Sequence, residues 1–258
     1  MALEKTKAEY GDYELNATYN GVNVGRILRQ MEQQSESNFF FKASMTNEIA
    51  QRFLAIPFPI DRGVAGYRVA FIRDGQQSRY CSTQTLASIK FKMSIVQGIG
   101  WLDGDILSAN GLNVYKISNY DKMFEMVSMG RIDAFFRGVN EIETEWEIRR
   151  SQLPDLRIEP CIAFYYPLPR FFITNKDNKV NAQRIMTGLE RAYEDGSFNE
   201  LWHELFLDSI KLVGLANRQL IELNNPYISE IDMSYQKYNV DLTKYLQKQP
   251  ELKQPSEK

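Results

Sequence analysis

The chain has 258 residues, 43% hydrophobic and 25% charged, which is the composition of a folded globular protein able to bury a core. With 31 Lys and Arg against 33 Asp and Glu, the net charge of −2 gives nucleic acid no electrostatic footing. The apolar runs fall short of the roughly 18 residues of a membrane span, and the opening MALEKTKAEYGDYEL lacks the apolar core of a signal peptide.

In chain order, residues 2–7 read as the end of a helix, because no capping residue precedes them. Tyr13–Tyr19 alternates apolar and polar residues as a half-buried strand does, and Val24, Ile27, Leu28 and Met31 form one helical face. Asn38–Ala43 reads as a strand, and Thr46–Leu54 as a helix capped by Thr46 or Ser44. The prolines and glycines of AIPFPIDRGVAGYRVAFI impose an extended segment and a turn before a strand at Tyr67–Ile72. Residues 73–84 are polar and turn-rich, the natural place for a first crossing between two lobes, and a short helical turn follows at Thr85–Lys90.

The pattern is clearest between Met93 and Glu141. An apolar run turns at Gly98 and Gly100 into a helical segment containing Trp101, Leu102, Ile106 and Leu107. A strand at Leu112–Ile117 leads into the stripe Tyr120, Met123, Phe124 and Val127, stopped at Gly130, and a third strand spans Ile132–Phe136. This is βαβαβ, which predicts a parallel sheet with ligands at the carboxyl ends of its strands. Gln97, Gly98, Trp101 and Arg137 fall at those ends. The run Glu141–Arg150 carries acids first and bases last, as a solvated surface helix does. Leu156–Tyr166 reads as a strand, broken at Pro167 and Pro169 before another at Phe171–Thr174, which is the natural second crossing. Amphipathic helices follow at Asn181–Tyr193 and Phe198–Leu207, and past Pro226 the chain thins into a partly frayed extension. No internal repeat of fixed period is present.

Little catalytic equipment accompanies this frame. His203 is the only histidine, which leaves no basis for a Ser-His, Cys-His or multi-histidine metal site, and it reads as a helix-surface residue. Cys81 and Cys161 are too few for a disulfide framework; a single bridge is possible, and two free buried thiols are the expectation. The glycines at 98 and 100 make only a GxG, and Asp103 with Asp105 reads as a capped helix start.

The order of VQGIGWLDGDILSANGL, MGRIDAFFRGVNEI, YYPLPRFFITNKDN and GLERAYEDGSFNELW resembles bacterial extracellular solute-binding proteins of family 3 across most of residues 2–225. It resembles in particular a transporter substrate-binding subgroup with recurring G-x-x-W-x-D and F-x-R-G-V-N-E-I segments, here Gly98, Trp101, Asp103 and Phe135–Ile142. The resemblance implies an α/β fold of the two-lobed type II periplasmic-binding-protein kind, with two crossing strands as its hinge. Lobe one would be residues 1–80 and 168–225, lobe two 84–165, and 226–258 an extension. It further implies a periplasmic, monomeric, non-enzymatic protein without a cofactor or metal, which captures a small polar or anionic molecule between the lobes for a membrane permease. A sensor reporting to a membrane partner and an enzyme on the same scaffold are the alternatives.

The ligand contacts implied are Ser44, Thr46, Arg68, Gln97, Gly98, Trp101 and Arg137, with Trp101 as an apolar wall, Gly98 and Gly100 as backbone donors and Arg137 as ionic anchor. Two amino-acid anchors of the resembled proteins are replaced: Ile49 stands where the arginine of the Thr-x-x-Arg turn falls, and Gly138 stands five residues after Asp133, where an aspartate falls. An α-amino acid is therefore not carried over as the ligand. The resemblance also places a first strand and most of a first helix ahead of residue 2, so the chain is expected to lack them.

Overall fold

The computed structural model describes residues 1–17, 24–33, 38–82, 85–242 and 245. Its strands are β1 (Phe41–Ser44), β2 (Leu54–Ile56), β3 (Tyr67–Arg73), β4 (Ser94–Gly98), β5 (Asn113–Ile117), β6 (Phe135–Gly138), β7 (Leu156–Ile158), β8 (Ile162–Tyr165), β9 (Arg170–Thr174) and β10 (Gln219–Glu222). Its helices are α1 (Lys7–Tyr10), α2 (Val24–Glu32), α3 (Asn47–Arg52), α4 (Gln77–Cys81), α5 (Leu86–Lys92), α6 (Leu102–Ala109), α7 (Tyr120–Ser128), α8 (Ile142–Arg149), α9 (Lys179–Glu194) and α10 (Ser197–Leu212). Thr18, Tyr19, Thr83, Gln84 and most of the extension beyond Leu242 lie outside the described residues.

The chain divides into two compact units. One comprises Met1–Arg62, Pro169–Leu205 and Ile228–Asn239; the other comprises Gly63–Leu168, Phe206–Tyr227 and the described residues after Asn239. The boundary falls at Arg62 rather than at residues 73–84, because β3 pairs with β6, β7 and β8, all members of the second unit.

In the first unit, β9 is the middle strand of three and pairs antiparallel with β1 and β2. Thr46 caps α3 by accepting the Ile49 N–H at 3.1 Å, and Ile49, Met45, Phe53 and Phe171 close one side of the core. On the other side Phe58 is fully buried among Phe198, Tyr193 and Tyr238. Gly188 of α9 lets the N-terminal turn approach, since a Cβ there would lie 2.1 Å from the Ala2 carbonyl oxygen. Arg184 donates to the carbonyl of Gly11 at 2.6 Å, and Tyr13 donates to Glu4. Tyr13–Ala17 forms no strand: the segment is exposed and pairs with no other strand among the described residues. The stretch read as a frayed extension is packed through Leu242: Tyr235 is buried against Phe171, Tyr238 against Phe58, and Leu242 is fully buried.

The second unit contains the βαβαβ segment. β4 and β5 are parallel in register Ile95–Val114, and Ile95 bridges Ala134 in parallel on the other side, just ahead of β6. β4 is therefore central, β6 continues antiparallel to β3, and β3 passes to β8 and then to β10, a short strand with no periodicity of its own. The run Leu156–Tyr166 is one edge of β3 interrupted by a corner at Glu159–Cys161. Burial raises the pKa of Glu159, opposed by the N–H groups of Ile162 and Cys161, which it accepts at 2.8 and 2.7 Å, and by Arg218. Arg218 also donates to the Ile162 carbonyl, so the corner is held from both sides.

That corner places Cys161 beside the end of α4, and Cys81 and Cys161 form a disulfide with Cα atoms 5.0 Å apart. This corrects the expectation of two free thiols. The bridge lies within the second unit and closes a loop of 80 residues. Replacing both cysteines by alanine is expected to remove about 4 kcal/mol of unfolding free energy, from the loop-closure entropy. Urea denaturation with and without reductant measures this, and an unchanged midpoint in the oxidised wild type and the double variant excludes the bridge. A second expectation concerns acid. Asp195, between α9 and α10, is held at a pKa of about 2 by Lys5, by the Ser197 hydroxyl and by the Ser197 N–H. Its contribution to stability is complete above the usual carboxylate range and is lost as pH falls through about 2. A carboxyl NMR titration should show this midpoint, and Lys5→Ala should move it upward.

Candidate functional site

The candidate site is the set of polar side chains that the second unit gathers where β4 and β6 end and β3 begins. Antiparallel pairing sets Arg68 opposite Gly138 and Val69 opposite Arg137. The carboxyl end of β4 delivers Gln97 and Gly98, and the turn after it leads into α6, whose first turn carries Asp103. The turn after β6 supplies Glu141, and α8, which follows it, supplies Glu145.

These groups form one ion-pair network. Arg68, 1% exposed, places Nη2 2.7 Å from Asp103 Oδ1 and Nη1 3.4 Å from Glu141 Oε2. Arg137 places Nη2 2.6 Å from Glu145 Oε1 and 3.1 Å from Glu141 Oε2, so Glu141 bridges the two guanidiniums. The Arg137 Nε also donates to both oxygens of Glu145 at 2.9 Å. Tyr166 donates to Asp103 and Tyr120 donates to Glu145, which gives these two carboxylates a neutral donor as well. Burial works against the charge of both arginines, yet the adjacent carboxylates outweigh it and raise both pKa values. Burial, reinforced by the carboxylates, raises those of Tyr120 and Tyr166.

Trp101 packs into the same cluster. Its ring stacks with Phe135 at 6.3 Å and lies 4.8 Å from the Arg137 guanidinium. A Cβ on Gly98 would fall 2.4 Å from the indole, so glycine is required there to admit the ring. Within the turn, Ile99 N–H donates to Ile117 and Trp101 N–H to Gly98, which engages two of its backbone donors. Gly100 adopts φ +77°, a left-handed conformation that suits glycine. Gly138 has no space for a side chain either: a Cβ there would meet Asn140 Oδ1 at 2.4 Å and Arg68 Nη1 at 2.9 Å.

The structure thus gathers Arg68, Gln97, Gly98, Trp101 and Arg137 in one unit, while Ser44 and Thr46 belong to the other. Ser44 ends β1 opposite Arg170, and Thr46 is engaged as a helix cap. Arg137 is not a free cation but the partner of two carboxylates. Glu145, 7% exposed, was hidden in a run that reads as a solvated helix. The signal that could have found the network is the spacing Arg137, Glu141, Glu145, three charges at intervals of four, although Arg137 itself ends a strand. Among the described residues, Cys81, Glu159 and Cys161 are the group with metal-ligand character; the cysteines are disulfide-bonded and Glu159 accepts backbone N–H groups.

No protein-family model matches the chain, and no curated protein matches it. Solved structures do. An amino acid ABC transporter substrate-binding protein from Streptococcus pneumoniae, bound to L-arginine, is similar at TM-score 0.55 and 12% identity, covering 81% of this chain and 82% of its own. An ancestral arginine-binding protein is similar at TM-score 0.54 and 14% identity, covering 78% and 84%. An ancestral amino acid-binding protein, a precursor of cyclohexadienyl dehydratase, is similar at TM-score 0.54 and 11% identity, covering 79% and 82%. The chain has the α/β type II fold of periplasmic binding proteins.

Because Arg68 is nearly fully buried and neutralises two carboxylates, Arg68→Met is expected to cost about 3–5 kcal/mol. Chemical denaturation measures this; a loss below about 1 kcal/mol would reduce the network to a surface ion pair.

Proposed function

We propose that the chain is a solute-binding protein that takes up one small polar molecule without transforming it. The observation that carries this reading is the network of Arg68, Asp103, Arg137, Glu141 and Glu145 beside Trp101, a rigid polar constellation at strand ends in the fold of ABC transporter substrate-binding proteins. In such α/β sheets the carboxyl ends of strands are where ligands bind. Asp103 and Trp101 touch the solute, Gln97 and the Gly98 turn frame it, and Arg68 and Arg137 hold the carboxylates in place.

The protein acts outside the cytoplasm, as a monomer, and delivers its solute to a membrane permease. None of the described helices is long and apolar enough to cross a membrane. Sensing for a membrane partner is the same binding event with a different recipient. An enzyme on this scaffold is the competing reading, favoured by one observation, the similarity to a precursor of cyclohexadienyl dehydratase.

Native mass spectrometry of the purified chain, followed by titration with a library of small polar solutes, tests the proposal. A compact charge-state distribution with saturable one-to-one binding and unaltered solute is expected. Trp101→Ala should weaken that binding about tenfold, from lost aromatic contact. Turnover of a bound solute, abolished by Asp103→Asn, would establish the enzyme instead, and no saturable binding across the library would overturn the reading.

A further inference from the structure

Resting on that reading, we infer that the solute is recognised through N–H donors on a positively charged group, a primary amine or a guanidine, which docks on the carboxylate of Asp103. Arg68 and Arg137 are buried members of the network, Glu145 is as buried as Arg137, and Asp103 and Glu141 are the carboxylates that reach the surface. Side-chain exposure is 1% for Arg68 and 9% for Arg137, against 16% for Asp103 and 24% for Glu141. An incoming molecule therefore meets acceptors before it meets guanidiniums, and both guanidiniums are already matched by carboxylates at 2.6 to 3.4 Å.

Asp103 is placed for this contact. Its Oδ1 takes both the Arg68 guanidinium and the Tyr166 hydroxyl, which fixes the carboxylate plane and leaves Oδ2 to a ligand. The unsatisfied groups around it point the same way. Gln97 is wholly buried, lies against the first turn of α6 beside Gly104, and donates to the Phe136 carbonyl at 2.9 Å, while its Oε1 has no partner. Asn140 Oδ1, close to Gly138, is likewise buried without a donor. Among the fully buried side-chain donors of the cluster, Arg68 Nε has neither a hydrogen bond nor an ion pair. Buried acceptors without donors are costly, and a cation rich in N–H groups supplies what this half of the site lacks. A carboxylate or phosphate would bring more acceptors to a face that already presents carboxylates. The polar solute is thereby narrowed to a cationic one.

The test is isothermal titration of the whole chain with agmatine and putrescine, and with succinate and glycerol as anionic and neutral probes at one ionic strength. The cations are expected to bind saturably and succinate not at all. Asp103→Asn should weaken cation binding about tenfold or more, as loss of a charge-assisted hydrogen bond does. Glu141→Gln, the more exposed position, serves as a second variant should Asp103→Asn fail to fold, with thermal melts recording folding of each; it too is expected to weaken the cations. Cation affinity unchanged in every folded variant overturns the inference. Saturable binding of succinate or glycerol with silent cations overturns it while leaving the solute-binding reading intact. Silence from all probes and from the wider library overturns both.

Discussion

The buried pairing of Arg68 and Arg137 with Asp103, Glu141 and Glu145 is the constraint on which the second unit depends. Two guanidiniums taken out of water would each cost several kcal/mol if unpaired, and the geometry that offsets this cost has to come from elements distant in the chain. β3 brings Arg68, β6 brings Arg137, α6 brings Asp103, the turn into α8 brings Glu141 and α8 brings Glu145. Glu141, touching both guanidiniums, couples the pairs into a single object. Such a network contributes more to specifying one arrangement than to net stability, and a preorganised polar arrangement is what a binding site requires.

The same constraint explains residues that look interchangeable in the sequence. Gly138 is glycine because Arg68, Asn140 and Glu141 crowd its α-carbon, and its N–H donates to Glu141 at 3.2 Å. A carboxylate-bearing side chain at that position would have to displace the network. Gly98 is glycine because the indole of Trp101 lies over it. Both glycines thus have a packing role: Gly98 admits the indole and Gly138 admits the Arg68 guanidinium. Ile49 follows the same logic in the first unit: it closes the core against Phe171 and Met45 in place of presenting a charge.

Much of the frame was legible in the sequence because its signals are local. The βαβαβ order and the glycine stops at Gly98 and Gly130 arise from periodicity and turn chemistry within a dozen residues, and β4, α6, β5 and α7 lie where that reasoning puts them, whereas β6 begins later, at Phe135, and pairs antiparallel with β3, leaving the bridge Ile95–Ala134 as the parallel contact to β4. The boundary between units was misplaced because composition marks exposed turns, whereas membership of a unit is decided by strand pairing, and β3 pairs forward in the chain. Glu145 was unreadable for a related reason. Its run, EIETEWEIRR, has the polarity of a solvated helix, and only the arrival of Arg137 and Tyr120 makes one of its acids a buried one. Tyr235 and Tyr238 escaped notice because isolated aromatics in a polar tail carry no periodic pattern, although Phe171 and Phe58 bury them.

The corner at Glu159 shows how the second unit holds its sheet beside such a polar network. β3 runs along an edge made of two short strands, β7 and β8, and a continuous strand there would leave no place for a bend. Glu159 turns the chain by accepting the two N–H groups that follow it, Arg218 accompanies its charge while reaching the Val213 and Ile162 carbonyls, and the Cys81–Cys161 bridge fixes the outer side. β8 then resumes opposite Tyr67 and Arg68 and leads directly into Tyr166. The register that seats Tyr166 against Asp103 is therefore set at this corner, so a structural ion pair and a disulfide beside Ala70, in the middle of β3, position a side chain of the candidate site at the strand's start.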